Sequence, residues 1–316
     1  MQKFISVKDA GNLESLLKLA LEVKGNPFGY KTYGENKTLG LLFFNPSLRT
    51  RLSTQKAAMN LGMNIMVMNF SHDGWALEMA DGTVMDQGSQ EHVKEAAAVI
   101  SQYCDILGIR TFASLKDREE DYQEEVINKF IQNATVPVIS LESATLHPLQ
   151  SFADLITIET LKTVKRPKVV LTWAPHPRAL PQAVANSFAE WMARSEVELV
   201  IANPEGFDLS PEFTKGVKVL HHQEEALAGA DFVYTKNWSS YENYGSIGKG
   251  YNHWMMTNQK MDLTHSGKFM HCLPVRRNVV VADEVLDGPD SLVLEQANNR
   301  TFAAQTVLLK MLQHGK

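Results

Sequence analysis

Cysteine is scarce in this chain. Cys104 and Cys272 are the only two among 316 residues, too few for a disulfide framework or a cysteine-rich zinc module, and neither CxxC nor HExxH occurs. No metal site is expected, and a reducing, cytoplasmic setting is the default for a chain with so few thiols. Long apolar runs are missing as well, since none approaches the roughly 18 residues that a membrane span needs. Met1-Gln2-Lys3-Phe4 runs into a polar stretch without a hydrophobic signal core, so a soluble protein that stays inside the cell, away from membranes, is expected. A strong charge of either sign is absent too. The 31 Lys and Arg against 36 Asp and Glu leave a net charge of −5, which argues against a surface built to hold nucleic acid. The glycine-rich Gly245-Ser246-Ile247-Gly248-Lys249-Gly250 fits neither the GxGxxG nor the GxxxxGK[ST] fingerprint and reads as a loop.

What is present is a globular pattern. At 44% hydrophobic and 21% charged, disorder is excluded, and the length exceeds one usual core, so two domains of roughly 150 residues are expected. Residues 12–23 carry Leu13, Leu16, Leu17 and Ala20 at helical spacing, opened by Asn12 and stopped by Gly25 and Pro27. Residues 38–44 are a continuous apolar run of strand length, 52–61 a helical pattern, and 64–70 a second buried strand. Strand, polar turn, helix and strand make a βαβ unit with a right-handed crossover. The alternation continues with a helix at 91–103, a strand at 105–110, a helix after Glu119 and a strand at 137–141. A long helical pattern covers 149–163. Short apolar segments then recur at 168–173, 197–202, 217–221, 232–235 and 269–273, of the kind a parallel sheet buries on both faces. An amphipathic helix over about 300–312 closes the chain. The acidic run from Asp117 to Asp121, with Glu124 and Glu125, reads as a solvated helix face. The expected fold class is α/β: two doubly wound parallel-sheet domains with an active-site cleft between them.

Ser47-Leu48-Arg49-Thr50-Arg51 lies between a buried strand and the following helix. Ligands of open parallel sheets bind beyond the carboxyl ends of the strands, where a helix N-terminus offers unpaired N–H groups and a positive dipole end. Hydroxyls of Ser47 and Thr50 and the Arg49 guanidinium complete a phosphate cradle that needs no glycine. Taken alone, an N-cap at Ser47 with two surface arginines explains the segment equally well. Three further signals tip the balance: Arg110 and His147 follow strands at the same edge, and His271-Cys272-Leu273-Pro274-Val275-Arg276-Arg277 follows a strand of the second half. Cations converging on strand ends suit a multiply charged anion.

Ser47-Leu48-Arg49-Thr50-Arg51, His147-Pro148-Leu149-Gln150 and His271-Cys272-Leu273-Pro274 resemble, in order and spacing, the three signature segments of the aspartate/ornithine carbamoyltransferase family. The resemblance covers nearly the whole chain. The His-Cys-Leu-Pro form is similar to the ornithine branch, but the Ser-Met-Gly loop of ordinary ornithine carbamoyltransferases is replaced by Tyr234-Thr235-Lys236-Asn237-Trp238. With Trp75 and Trp173-Ala174-Pro175-His176-Pro177-Arg178, this looks like the branch that carbamoylates N-acylated ornithine.

The resemblance implies a carbamoyl phosphate domain at 1–147, an acylornithine domain at 148–297, and a C-terminal helix at 298–316 packing back on the first. It implies a knotted chain in the second domain, around 177–182, and a cytoplasmic homotrimer with shared active sites in arginine biosynthesis. Carbamoyl phosphate would be held by Ser47, Leu48, Arg49, Thr50, Arg300 and a neighbouring subunit's Trp75. Arg110 and His147 would polarise the carbamoyl oxygen, and such preorganised donors are worth about 3 kcal/mol each at a transition state. Gln150 and the carbonyls of Cys272 and Leu273 would fix the carbamoyl nitrogen. Glu142 would accept from the acylated α-nitrogen, and His176, Lys236 and Arg276 would meet carboxylates. The δ-amine, with an ordinary pKa of about 10.4, must lose a proton; with no side chain standing out as base, the departing phosphate is the expected acceptor. No cofactor is implied.

The acceptor expected is N-succinylornithine, with N-acetylornithine and then free ornithine as alternatives. In this family a glutamate at the position of Gln90 accompanies acetyl use and a proline accompanies succinyl use. Gln90 matches neither, but a neutral side chain there would not repel a second carboxylate. Val280 stands where acetyl-type relatives carry a lysine. A Cys272 nucleophile is disfavoured because neighbours in a strand, such as His271, point to opposite faces. A dinucleotide-dependent oxidoreductase lacks its glycine fingerprint, and an anion-binding regulator needs only one site.

Overall fold

The computed structural model describes residues 1–70 and 73–314; the last two residues of the expected C-terminal segment lie outside them. The chain divides into two compact units. The first holds Met1–Ala113, Glu119–Leu149 and the segment from Arg300 onward, and the second holds Ser114–Arg118 and Gln150–Asn299. Among the described residues no helix is long and apolar enough to cross a membrane, and no cluster of His, Cys, Asp or Glu is placed to hold a metal ion.

The first unit is built on strands β1 (Lys3–Phe4), β2 (Thr38–Phe43), β3 (Asn64–Asn69), β4 (Ile106–Arg110) and β5 (Val138–Glu142), in the order β1-β5-β4-β2-β3. Every pair is parallel. Leu39, Leu41, Leu42 and Phe43 are all buried, as a central strand covered on both faces requires. Gly40 has no room for a side chain, since a Cβ there would stand 2.7 Å from Cys104 Sγ. Helix α1 (Leu13–Gly25) is capped by Asn12, whose side chain accepts from the Ser15 N–H. Helices α2 (Arg49–Asn60), α3 (Val93–Tyr103) and α4 (Glu125–Asn133) complete the layers. Val93, Ala97, Ile127 and Phe130 close on Leu107, Ile109 and Val138 of the sheet; burying one such phenylalanine contributes about 2–3 kcal/mol.

Several boundaries differ from the sequence pattern. The helix expected over 52–61 begins at Arg49, because its first turn is polar and carries no apolar period. Glu91–His92, read as helix, pairs in parallel with Leu77–Glu78 instead. The acidic run is not one solvated face: a short helix, Arg118–Tyr122, is broken at Glu124 with φ 52°, and Asp121 is buried. Strand β1, too short for any periodic signal, went unread. Ser114–Arg118 groups with the second unit, where Arg118 lies 4.7 Å over the Tyr241 ring and donates to the Tyr241 carbonyl.

The second unit repeats the plan with β6 (Lys168–Trp173), β7 (Glu198–Ala202), β8 (Lys218–Leu220), β9 (Phe232–Lys236) and β10 (Lys268–Met270), in the order β8-β7-β6-β9-β10, all parallel. Helix α5 (Pro148–Leu161) enters it, and α6 (Ala183–Met192) is buried along its whole length. Phe188 of α6 meets Tyr234 of β9 at 4.4 Å, and Trp191 stacks on Phe152 of α5 at 5.3 Å. Helix α7 (Val293–His314) starts before the expected residue 300 because its first two turns belong to this unit's core.

Each sheet reverses its strand order once, between β2 and β4 in the first unit and between β6 and β9 in the second. In open α/β sheets that switch point marks the ligand crevice at the carboxyl ends.

Candidate active site

At the first switch point, the loop leaving β2 delivers Ser47 and Leu48 to the start of α2. Leu48 is the N-cap residue and supplies no side-chain hydrogen bond, so the alternative reading of Ser47 as the N-cap does not hold. The first-turn N–H groups thus retain their capacity for an anion. Arg49 and Thr50 occupy the first helical positions, whereas Arg51 turns away to Asn69 Oδ1 at 3.2 Å. Thr50 is buried, and its Oγ1 accepts from Arg110 Nη1 at 3.2 Å and from Arg300 Nη2 at 2.6 Å. Two guanidiniums, one from the end of β4 and one from α7, therefore converge on one hydroxyl at a helix N-terminus.

Arg110 is also bound to Glu142, at the end of β5, at 2.5 Å. Glu142 was expected to meet the acceptor; here its carboxylate balances Arg110 and lies 3.5 Å from His147 Nε2. Burial pushes the His147 pKa well below the ordinary histidine value, and the charges of Arg300 and Arg110 push it the same way. The imidazole is thus neutral near pH 7, and its contact with Glu142 is not an ion pair. His147 is positioned by a tight turn. Glu124 accepts from Ser143 Oγ, the Ala144 N–H, the Thr145 N–H and Thr145 Oγ1 at 2.5–3.1 Å.

Trp75 is half exposed, donating its indole N–H to Glu91 at 2.8 Å and lining an apolar pocket of about 270 Å³ with Phe44, Phe70 and Met79. Gln90 is exposed, and its N–H binds the Ala76 carbonyl at 3.2 Å. The Trp75 and Gln90 segments therefore form one tethered surface feature. Glu91, which ties Trp75 to this feature, and Glu124, which holds the turn before His147, had no role in the sequence pattern.

At the second switch point, His176 follows β6 and Lys236 ends β9. Arg276 Nε donates to His176 Nε2 at 3.1 Å, and His176 Nδ1 lies 2.9 Å from the Arg178 carbonyl. Burial lowers the His176 pKa, as do Lys236, Arg276 and Arg178, although the Arg178 carbonyl opposes them. The cluster therefore carries its positive charge on Lys236, Arg178 and Arg276 around a neutral imidazole. Arg178, which the resemblance gave no contact with substrate, belongs to it. Arg277 does not: Asp283 and Asp287 neutralise it at 2.8 and 2.6 Å. Cys272 is buried and forms no disulfide. Leu273 adopts φ 54°, and its N–H donates to His271 Nδ1 at 2.8 Å. Val280 is buried, with its N–H on the Arg276 carbonyl.

Residues 2–160 match the aspartate/ornithine carbamoyltransferase carbamoyl-P binding domain, and residues 181–311 match the Asp/Orn binding domain of the same family. The chain belongs to the aspartate/ornithine carbamoyltransferase family. This carbamoyltransferase is 52% identical over 315 residues to the N-succinylornithine carbamoyltransferase of Bacteroides thetaiotaomicron, covering 99% of both chains. It is 33% identical to the N-acetylornithine carbamoyltransferase of Xanthomonas axonopodis pv. citri, covering 98% of this chain and 96% of that one. Among solved structures, acetylornithine transcarbamylase complexed with acetylcitrulline superposes with a TM-score of 0.93 at 33% identity, covering 98% of this chain and 99% of that one. An N-acetyl-L-ornithine transcarbamylase mutant complexed with carbamyl phosphate and N-succinyl-L-norvaline gives a TM-score of 0.92 at 33% identity, with 98% and 100% covered.

Proposed function

We propose that this carbamoyltransferase transfers the carbamoyl group of carbamoyl phosphate to the δ-amine of N2-succinyl-L-ornithine, giving N-succinyl-L-citrulline and phosphate, in arginine biosynthesis. One observation carries the choice of acceptor: Lys236, Arg178 and Arg276 gather around His176, a cationic set suited to a substrate with two carboxylates. The 52% identity to a succinylornithine enzyme supports the same choice.

In this reading the first-turn N–H groups of α2 take the phosphate, with Ser47, Arg49, Thr50 and Arg300. Arg110 and His147 face the carbamoyl oxygen, where negative charge grows as the amine attacks. Gln150 and the carbonyls of Cys272 and Leu273 hold the carbamoyl nitrogen. Glu142 has lone pairs beyond the one used by Arg110 and accepts the acylated α-N–H. The C–N bond forms as the C–O bond to phosphate breaks, and the departing phosphate takes the amine proton. Positioning supplies most of the rate.

The chain works as a homotrimer. Leu48 at the N-cap of α2, Leu52 and Met59 on α2 and Met66 on the edge strand β3 are each more than half exposed, an apolar face that fits a second copy. Trp75, also half exposed, closes over a neighbour's carbamoyl phosphate. Light scattering checks the trimer, and activity regained on mixing Trp75→Ala subunits with Arg110→Ala subunits checks the shared site. The acceptor is decided by kcat/KM for N-succinylornithine, N-acetylornithine and ornithine; a preference for either of the last two overturns the choice.

A further inference from the structure

Asp154 lies on the second turn of α5 with its side chain wholly buried. Its Oδ1 accepts two side-chain amides at 2.7 Å each, Gln150 Nε2 from one turn earlier and Gln296 Nε2 from the first turn of α7. Gln296 Oε1 in turn accepts the His271 N–H at 2.9 Å. All four residues belong to the second unit and are at most 2% exposed. The network thus runs from Gln150, three residues after His147, to the segment that begins His271-Cys272-Leu273.

A glutamine amide presents a donor on one side and an acceptor on the other, in nearly the same shape. Its neighbours decide which end faces a ligand. Oδ1 of Asp154 draws both Nε2 groups to itself, so both carbonyl oxygens face away from it. Gln296 spends its oxygen on the His271 N–H. Gln150 is held with its acceptor end turned from Asp154. A carbamoyl nitrogen carries two N–H donors and no acceptor, so it needs oxygen atoms facing it. A buried carboxylate is costly unless hydrogen-bonded, and an apolar residue would fill the same space without that demand but would remove the acceptor that draws the Gln150 Nε2 to its side.

We propose that Asp154 is a positioning residue: it sets the amide orientation of Gln150, so that the enzyme selects a carbamoyl group over a methyl ketone of the same size. This rests on the reading of Gln150 as a partner of the carbamoyl nitrogen.

The test uses two stable analogues, phosphonoacetamide and 2-oxopropylphosphonate, which differ only in NH2 against CH3, titrated calorimetrically into the full-length protein. The wild type binds the amide about tenfold more tightly, the equivalent of one buried hydrogen bond. Asp154→Asn, whose own amide accepts or donates, brings that ratio close to one and leaves the ketone affinity unchanged, a result that general loosening of the fold does not produce. An unchanged ratio in folded Asp154→Asn overturns the proposal. Should that variant not fold, Gln296→Leu serves, because it leaves Gln150 bonded to Asp154: a retained preference supports the assignment, and a lost one overturns it by giving the role to Gln296. Equal binding of both analogues by the wild type defeats the reading of Gln150 itself, and binding of neither defeats the carbamoyl phosphate reading.

Discussion

Arg300 and Thr50 are 250 positions apart in the chain, and Arg300 Nη2 donates to Thr50 Oγ1 at 2.6 Å. Arg110 shares the same hydroxyl, so a single side chain orients two guanidiniums at the N-terminus of α2. Thr50→Val preserves shape and removes the acceptor. A buried donor left without its partner costs about 1–3 kcal/mol, so the Kd for carbamoyl phosphate is expected to rise about tenfold. Calorimetric titration reads this directly, and an unaltered Kd would mean that the hydroxyl only packs.

Glu142 is the carboxylate that balances Arg110. Glu142→Gln leaves that guanidinium uncompensated beside Arg300 and His147, and breaking a buried pair this way costs about 3–5 kcal/mol. The expected result is a lowered Tm that inorganic phosphate restores more in the variant than in the wild type, because an anion binding the folded state replaces part of the missing charge. Equal phosphate-induced shifts in both proteins would refute it.

His147 has a pKa well below 6.5 when folded, so the unfolded chain binds a proton that the folded chain refuses. The sign follows: stability is intact above about pH 6.5 and falls as pH drops below it, by at most about 1.4 kcal/mol per pH unit from this group. His147→Gln removes that contribution. Urea unfolding at pH 7.5 and 5.5 should show a smaller loss in the variant than in the wild type, His176 contributing equally to both.

Gln90 is exposed in the loop tethered to Ala76, next to Trp75. Gln90→Glu places a negative charge where a succinyl carboxylate is expected, and an exposed charge of this kind is worth about 1 kcal/mol or less. The ratio of kcat/KM for N-succinylornithine over N-acetylornithine should fall about fivefold at low salt and recover towards the wild-type ratio as salt is added. A ratio that does not move would take the loop out of acyl selection.

Glu124 binds the turn before His147 through four hydrogen bonds. Glu124→Ala should cost about 2–4 kcal/mol by leaving those buried donors unmet and should lower kcat more than it raises KM for carbamoyl phosphate, since the turn carries His147, proposed above to act on the reacting carbonyl. Urea titration and steady-state kinetics on the same preparation check both parts.

Much of the fold was legible in residue order. The apolar runs that became β2, β4, β5, β6 and β9 are continuous because each is covered on both faces, and continuity survives in a linear string. Strand β1 was not legible, being two residues long. The helix break at Glu124 was hidden as well, because a run of charges looks the same whether it faces water or closes a turn. The cationic residues at strand ends could be picked out singly, but the contacts of Arg178 with His176 and of Glu91 with Trp75 depend on neighbours that residue order does not reveal.

By itself the sequence determined the alternation of strands and helices, and the positions where Arg110, Glu142, His176 and Lys236 meet strand ends, since hydrophobic burial is written locally in residue type. Only the tertiary structure decided which polar groups face one another: that Glu142 holds Arg110, that Thr50 receives Arg300 from α7, and that Asp154 joins Gln150 to Gln296. Hydrogen bonds depend on direction and on distances of about 3 Å, and partners far apart in the chain reach that range only once the sheets and helices have packed.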